Sequence, residues 1–142
     1  MQLNPYLMFD GACEEAFTFY AKALRGQVVA MMKYSDMPPS TGSSPECSGP
    51  GMENKVMHAR ISVGDEVIMG SDSPPGQYQQ PTGFSVALNI AEPAEAERVF
   101  HALAEGGTTT MPIAETFWAQ RFGMLKDRFG IPWMINCEKP HG

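Results

Sequence analysis

Residues 84–107 read FSVALNIAEPAEAERVFHALAEGG, and two periodicities follow one another in them. From Phe84 to Ile90, Phe84, Val86, Leu88 and Ile90 alternate with Ser85, Ala87 and Asn89, the pattern of a strand buried on one side. From Pro93 to Glu105, the stripe Ala96, Val99, Phe100 and Leu103 recurs every three or four residues, the pattern of a helix. Pro93 suits the first helical turn and Gly106-Gly107 stop the last. The same succession occurs near the start of the chain. A strand over Leu3–Phe9 leads into a helix over about Ala12–Leu24, with Cys13, Ala16, Phe17, Tyr20, Ala23 and Leu24 on one face. Glu14 and Glu15 lie in its first turn, where the helix dipole favours them, and Gly26 ends it. The two helices match at an offset of 80: Glu15 with Glu95, Ala16 with Ala96, Tyr20 with Phe100, Gly26 with Gly106.

A second match lies downstream. ARISVGDEVIMG (59–70) parallels MLKDRFGIPWMI (124–135), with Gly64 opposite Gly130 and Val67 opposite Trp133, each between two strands. The offset is shorter here because the first half carries MPPSTGSSPECSGPGMEN (37–54), a loop rich in Pro, Gly and Ser. The chain therefore reads as a single α+β domain over 1–142, made of two βαβββ modules, about 1–72 and 82–139, joined by DSPPGQYQQPT.

Composition narrows the function. The 142 residues are 43% hydrophobic and 18% charged, in the globular range. The formal net charge is −6, with acidic residues spread along the chain, which argues against a nucleic-acid partner because phosphate needs a basic face. No apolar run reaches a membrane span, and the N-terminus has no signal-peptide pattern, so a cytoplasmic protein is expected. Cys13, Cys47 and Cys137 have neither metal nor disulfide spacing and are expected to be reduced thiols.

Strand alternation assigns faces. In Val56–Val63, Met57, Ala59, Ile61 and Val63 share one face, and His58, Arg60 and Ser62 the other. With Ser85 and Asn89, His58 and Arg60 form the expected polar lining of a concave pocket for a small molecule. The run ETFWAQRFGMLKDRFGIPW (115–133) adds Trp118 as a stacking wall and Arg121 as a partner for an acid group. Trp133, matched with Val67, is expected in the core; Lys126, Asp127 and Arg128 are expected as solvated hairpin charges. Of the three histidines, His101 lies on the second helix and His141 in the tail, so His58 is the candidate general base, with Glu115 second. The eleven methionines suit an adaptable apolar lining as well as core filling.

PYLMFDGACEEAFTFYAKAL (5–24), YSDMPP (34–39), VMHARISVGDEVIMGSD (56–72) and FWAQRFGMLKDRFGIPW (117–133) together resemble the PhnB-like family of the vicinal oxygen chelate superfamily, which holds glyoxalase, bleomycin-resistance and dioxygenase proteins. The resemblance implies a curved mixed sheet with a concave cavity, and a homodimer. The chain departs from the family pattern at Ala119-Gln120 and at Asp127-Arg128-Phe129-Gly130-Ile131. Metal-dependent superfamily members hold a divalent cation on strands. The matching positions here, about Pro5, Ile68, Ser85 and Met134, supply no His, Asp, Glu or Cys, and so a metal-free site with no cofactor is expected. The family is sometimes labelled a demethylubiquinone methyltransferase. No strand runs into a glycine-rich cofactor loop to support that label. The alternative reading is a metal-dependent lyase, isomerase or dioxygenase of the same superfamily.

Overall fold

The structure, a computed structural model, describes residues 1–36 and 52–140. Most of the loop expected at 37–54, with Cys47, and the tail residue His141 lie outside the described residues. The chain divides into two compact units, Met1–Gln79 and Gln80–Gly142.

In the first unit, β1 (Tyr6–Phe9), α1 (Cys13–Ala23), β2 (Gln27–Lys33), β3 (Val56–Val63) and β4 (Glu66–Asp72) form a sheet of order β1-β4-β3-β2 with one helix. In the second, β5 (Val86–Asn89), α2 (Pro93–Ala104), β6 (Thr108–Ala114), β7 (Ala119–Lys126) and β8 (Pro132–Glu138) repeat the arrangement as β5-β8-β7-β6. β1 pairs with β4 and β5 with β8 in parallel, and the other pairs are antiparallel. The α+β class and the two βαβββ modules are those expected from the repeat.

Both helices follow the sequence closely because their apolar stripes have a sheet to cover. Cys13, Ala16, Phe17, Tyr20 and Ala23 are buried in α1, and Ala96, Val99, Phe100 and Leu103 in α2. The helix lies so close to the sheet that two sheet positions must be glycine. A Cβ on Gly70 would stand 2.8 Å from Phe17 Cζ and 2.6 Å from the Leu7 carbonyl oxygen; one on Gly123 would stand 2.7 Å from Phe100 Cε2.

Three expectations are corrected. Phe84, placed on the buried face of a strand, precedes β5 and is 51% exposed. The strands correspond one residue away from the sequence match: Leu7 lies beside Gly70 and Leu88 beside Ile135, which makes Ile68, not Val67, the counterpart of Trp133. Ile68 and Trp133 are both buried, so the core position expected for Trp133 holds although the reason given for it does not.

Third, Asp127 is not a solvated charge. It is 3% exposed and organises the β7–β8 turn. Its Oδ1 accepts hydrogen bonds from Phe129 N at 2.8 Å and Ile131 N at 3.0 Å, and its Oδ2 accepts the Trp133 indole Nε1–H at 2.8 Å. Gly130, at φ 89°, closes the turn by donating its N–H to the Asp127 carbonyl. The first unit has its own buried carboxylate. Asp72 accepts from Cys13 N at 3.0 Å and Val56 N at 2.9 Å, which ties the start of α1 to the start of β3, while Tyr34 Oη donates to the Asp72 carbonyl at 3.0 Å. Burial pushes the neighbouring Cys13 thiol well above its ordinary 9.0, and the charges of Asp72 and Glu14 act in the same direction.

Removing the Asp127 carboxylate strands two buried donors, Ile131 N and Trp133 Nε1, and the half-buried Phe129 N. Asp127→Ala is expected to destabilise the chain by about 2–4 kcal/mol, read as a lower midpoint in urea unfolding. The Cys13 shift carries a sign for pH dependence. Above the ordinary thiol pKa, the unfolded chain loses a proton that the folded chain keeps, so stability falls as pH rises. The slope approaches about 1.4 kcal/mol per pH unit for one group. Between about pH 8 and pH 10 the parent chain is expected to lose roughly 1 kcal/mol more than Cys13→Ala, measured by urea unfolding at each pH.

Candidate functional site

Each sheet has one face under its helix and one that its helix does not cover, and alternation sorts the side chains between them. In the first unit, Leu7, Phe9, Ala59, Ile61 and Ile68 are buried on the helix side. On the helix-free side the register lines up two rows. Tyr6, Met69 and Arg60 form one; Met8, Ser71, His58 and Met32 form the other. The Tyr6 ring reaches across β4 to within 6.0 Å of the His58 ring. Arg60 is exposed, with Nη2 3.6 Å from Met69 Sδ, and Ser71 Oγ lies 3.6 Å from Met8 Sδ.

In the second unit the corresponding rows are Asn89, Asn136 and Phe122, then Ala87, Met134, Met124 and Met111. Asn136 Nδ2 donates to Asn89 Oδ1 at 3.0 Å, and Asn136 Oδ1 is buried without a hydrogen-bond partner among the described residues. An unmatched buried acceptor costs about 1–3 kcal/mol, so it marks a place where a donor is favoured. Beside this pair stands an aromatic group. Trp118 packs edge-on against Phe122 at 5.5 Å and against Phe117 at 4.8 Å between centroids. The turn that presents them is set by Thr116, whose Oγ1 accepts from Trp118 N at 3.3 Å and Ala119 N at 3.0 Å. Trp118 is 48% exposed and Phe117 88%.

The candidates named from sequence are therefore divided between the two units. His58 and Arg60 share one helix-free face, in the first unit. Asn89 and Trp118 belong to the other unit, and Ser85, half-buried, precedes β5 there. Arg121 is not beside Trp118 in a common wall. An irregularity in the β7–β8 pairing lies between Ala119 and Arg121, and from there Arg121, Gly123 and Leu125 alternate to the helix side. Its Nε pairs with Glu97 of α2 at 2.9 Å and its Nη1 donates to the Gln120 carbonyl at 2.6 Å. Glu115 follows β6 as an exposed residue 3.6 Å from Lys139 Nζ, in a different unit from His58. Tyr6, Phe122 and Asn136 were not foreseen. Alternation carried back from Leu125 and Trp133 would have placed Phe122 and Asn136 on the face opposite Arg121.

The chemistry available is hydrogen bonding, stacking and charge pairing. Among the described residues no three His, Cys, Asp or Glu side chains come together to hold a metal ion. The positions matched from sequence to the superfamily's metal strands, Pro5, Ile68, Ser85 and Met134, do not occupy corresponding places: Pro5 precedes β1, Ser85 precedes β5, Ile68 is buried on the helix side and Met134 stands on the helix-free side of β8. Among the described residues, no helix is long and apolar enough to cross a membrane.

Known proteins give this arrangement a context. A family model described as 3-demethylubiquinone-9 3-methyltransferase matches residues 1–136. The crystal structure of protein PA1353 from Pseudomonas aeruginosa is similar at 46% identity, covering 99% of each chain, with a TM-score of 0.84. The PhnB protein from Bacillus cereus is similar at 27% identity over 96% of this chain and 99% of that one, with a TM-score of 0.78. A glyoxylase/bleomycin resistance protein/dioxygenase domain from Frankia shares the fold at 11% identity, over 97% and 95% of the two chains, with a TM-score of 0.61.

Proposed function

The chain belongs to the PhnB-like family described as 3-demethylubiquinone-9 3-methyltransferase, with the glyoxalase/bleomycin-resistance fold, and on that basis we propose that it binds a small organic molecule on its helix-free sheet faces. The observation that carries this reading is the half-exposed Trp118, packed on Phe122 beside the Asn89–Asn136 carboxamide pair. A flat ring stacks on the indole and phenyl faces, and a donor on its edge meets the unpartnered Asn136 Oδ1. Phe117, at 88% exposure, extends the same apolar surface.

This reading takes no step through a metal, because among the described residues no three His, Cys, Asp or Glu side chains come together to hold one. Nor does it take over the methyl transfer in the family's description. A methyl-donor site of the dinucleotide type needs a strand that runs into a glycine-rich loop and helix, and the β1–α1 and β5–α2 connections are Asp10-Gly11-Ala12 and Ile90-Ala91-Glu92. Should the bound molecule react, His58 is the titratable group on a strand face placed to move a proton, and Glu115 does not join it within its unit. A homodimer in the cytoplasm belongs to the same reading.

The neutral planar amides benzamide and nicotinamide serve as probes, followed by the indole N–H resonance of Trp118 and the side-chain amide resonances of Asn136 and Asn89. Saturable shifts are expected in the parent chain. Trp118→Ala is expected to abolish the Asn136 shift while changing stability by less than about 1 kcal/mol, since Trp118 is half-exposed. The Trp133 indole N–H, held by Asp127 in the core, is expected to stay still. No saturable response, or an equal one in Trp118→Ala, rejects the reading.

A further inference from the structure

The helix-free face of the first unit differs in charge from the rest of the chain. The protein carries a formal net charge of −6, yet the centre of this face holds Tyr6, His58, Arg60 and Ser71, all hydrogen-bond donors. Its four strands contain two acidic residues, Glu66 and Asp72, and both alternate to the helix side; Asp72 is held there by Cys13 N and Val56 N. Arg60 and Tyr6 are the exposed members of the group. Arg98 and Arg121 are paired with Glu95 and Glu97 at 2.6 and 2.9 Å. Arg60 instead rests its Nη2 3.6 Å from the Met69 thioether, and no carboxylate among the described residues forms an ion pair with it. A guanidinium is a rigid fork of donors that matches a carboxylate or a phosphoryl group in two parallel hydrogen bonds, and a thioether is a weak acceptor that leaves the fork available.

From this juxtaposition we propose that the first unit's helix-free face binds the acid group of a small organic anion, a carboxylate or a phosphonate-type group. Arg60 takes it by the guanidinium fork, His58 and Tyr6 flank it as further donors, and Met69 and the Tyr6 ring floor the ligand's apolar part. His58 stands two residues before Arg60 on β3, on the same side of the strand and about 7 Å away, the width of one acid group with its first carbons. The chain's overall negative charge disfavours a polyanion such as nucleic acid, so a small anion is the class selected. The inference rests on the reading of the helix-free faces as ligand surfaces and adds a charge requirement confined to the first unit.

The test titrates the full chain with benzoate, phenylphosphonate and benzamide, with calorimetry for affinity and the Arg60 Nε–H and His58 ring resonances for position. Both anions are expected to bind saturably and to shift Arg60 and His58, and benzamide is expected to leave these two unmoved. Arg60→Gln, a change at an exposed position, is expected to weaken both anions about tenfold or more, and Arg60→Lys to recover part of the loss. The tighter of the two anions identifies the acid group. Equal shifts of Arg60 by benzamide and benzoate, or unchanged anion affinity in Arg60→Gln, overturn the proposal. If the anions leave Arg60 unmoved while the amides still shift Trp118, this inference fails and the small-molecule reading stands. Silence at both positions overturns both.

Discussion

Each unit supplies one helix to a four-stranded sheet, and a single helix covers a single face. Everything else in the unit is arranged around that asymmetry. Because successive side chains of a strand point to opposite faces, one choice of register decides which residues are sealed and which are left to interact. Ala59 and Ile61 go under α1 and Arg60 does not; Gly123 and Leu125 go under α2 and Phe122 does not. The close approach of the helix leaves no room for a side chain at Gly70 or Gly123, because Phe17 and Phe100 already occupy that space.

The sealed faces still have polar groups to satisfy, and the two units do so differently. In the first, Asp72 takes two buried backbone donors at the junction of α1, β3 and β4. Its counterpart in the second is Cys137, whose thiol donates weakly to the Ala91 carbonyl at 3.4 Å. The second unit needs its carboxylate elsewhere. Trp133 fills the position held by Ile68 in the first unit, and a buried indole brings an N–H that must be matched. Asp127 supplies that acceptor and uses its other oxygen to shape the β7–β8 turn.

The legible part of the fold was the part governed by periodicity. Both helices, the succession of elements in each module and the division of Val56–Val63 into two faces followed from spacing and the internal repeat. The departures have separate physical causes. Asp127 looked like a surface charge because a hydrogen bond from a side chain to a turn backbone leaves no mark in hydropathy. The match of Val67 with Trp133 failed by one residue because apolar strands align almost equally well in neighbouring registers. Arg121 was grouped with Trp118 by nearness in sequence, whereas an irregular pairing near the start of β7 and strict alternation after it turn Arg121 toward Glu97. Of the residues on the helix-free faces and the turn beside them, His58, Arg60, Asn89 and Trp118 were named from the sequence and Tyr6, Phe122 and Asn136 were not. Alternation alone sets Phe122 and Asn136 opposite Arg121, but the pairing of Asn136 with Asn89 and Phe122, like that of Tyr6 with Met69 and Arg60, depends on cross-strand register.

With the register in hand, the two units can be compared position by position. On the helix sides most residues correspond in kind, Leu7 with Leu88, Ile61 with Leu125, Ala16 with Ala96 and Tyr20 with Phe100, while Ile68 against Trp133 and Asp72 against Cys137 are the exceptions, each with its own hydrogen bonds. On the helix-free sides they do not. Tyr6 meets Ala87, Ser71 meets Asn136, His58 meets Phe122 and Arg60 meets Met124. Close packing accounts for the first set, since a buried position tolerates little change of volume or polarity. It places no such demand on the second, where one unit has gathered cationic and hydroxyl donors and the other aromatic rings and carboxamides. A solvated sheet face would need only generic polarity, and large half-exposed aromatics such as Tyr6 and Trp118 are poorly suited to that. The divergence therefore lies where the core sets no requirement, and those are the faces to which the proposed acid-binding chemistry of the first unit and the proposed ring-binding chemistry of the second are assigned.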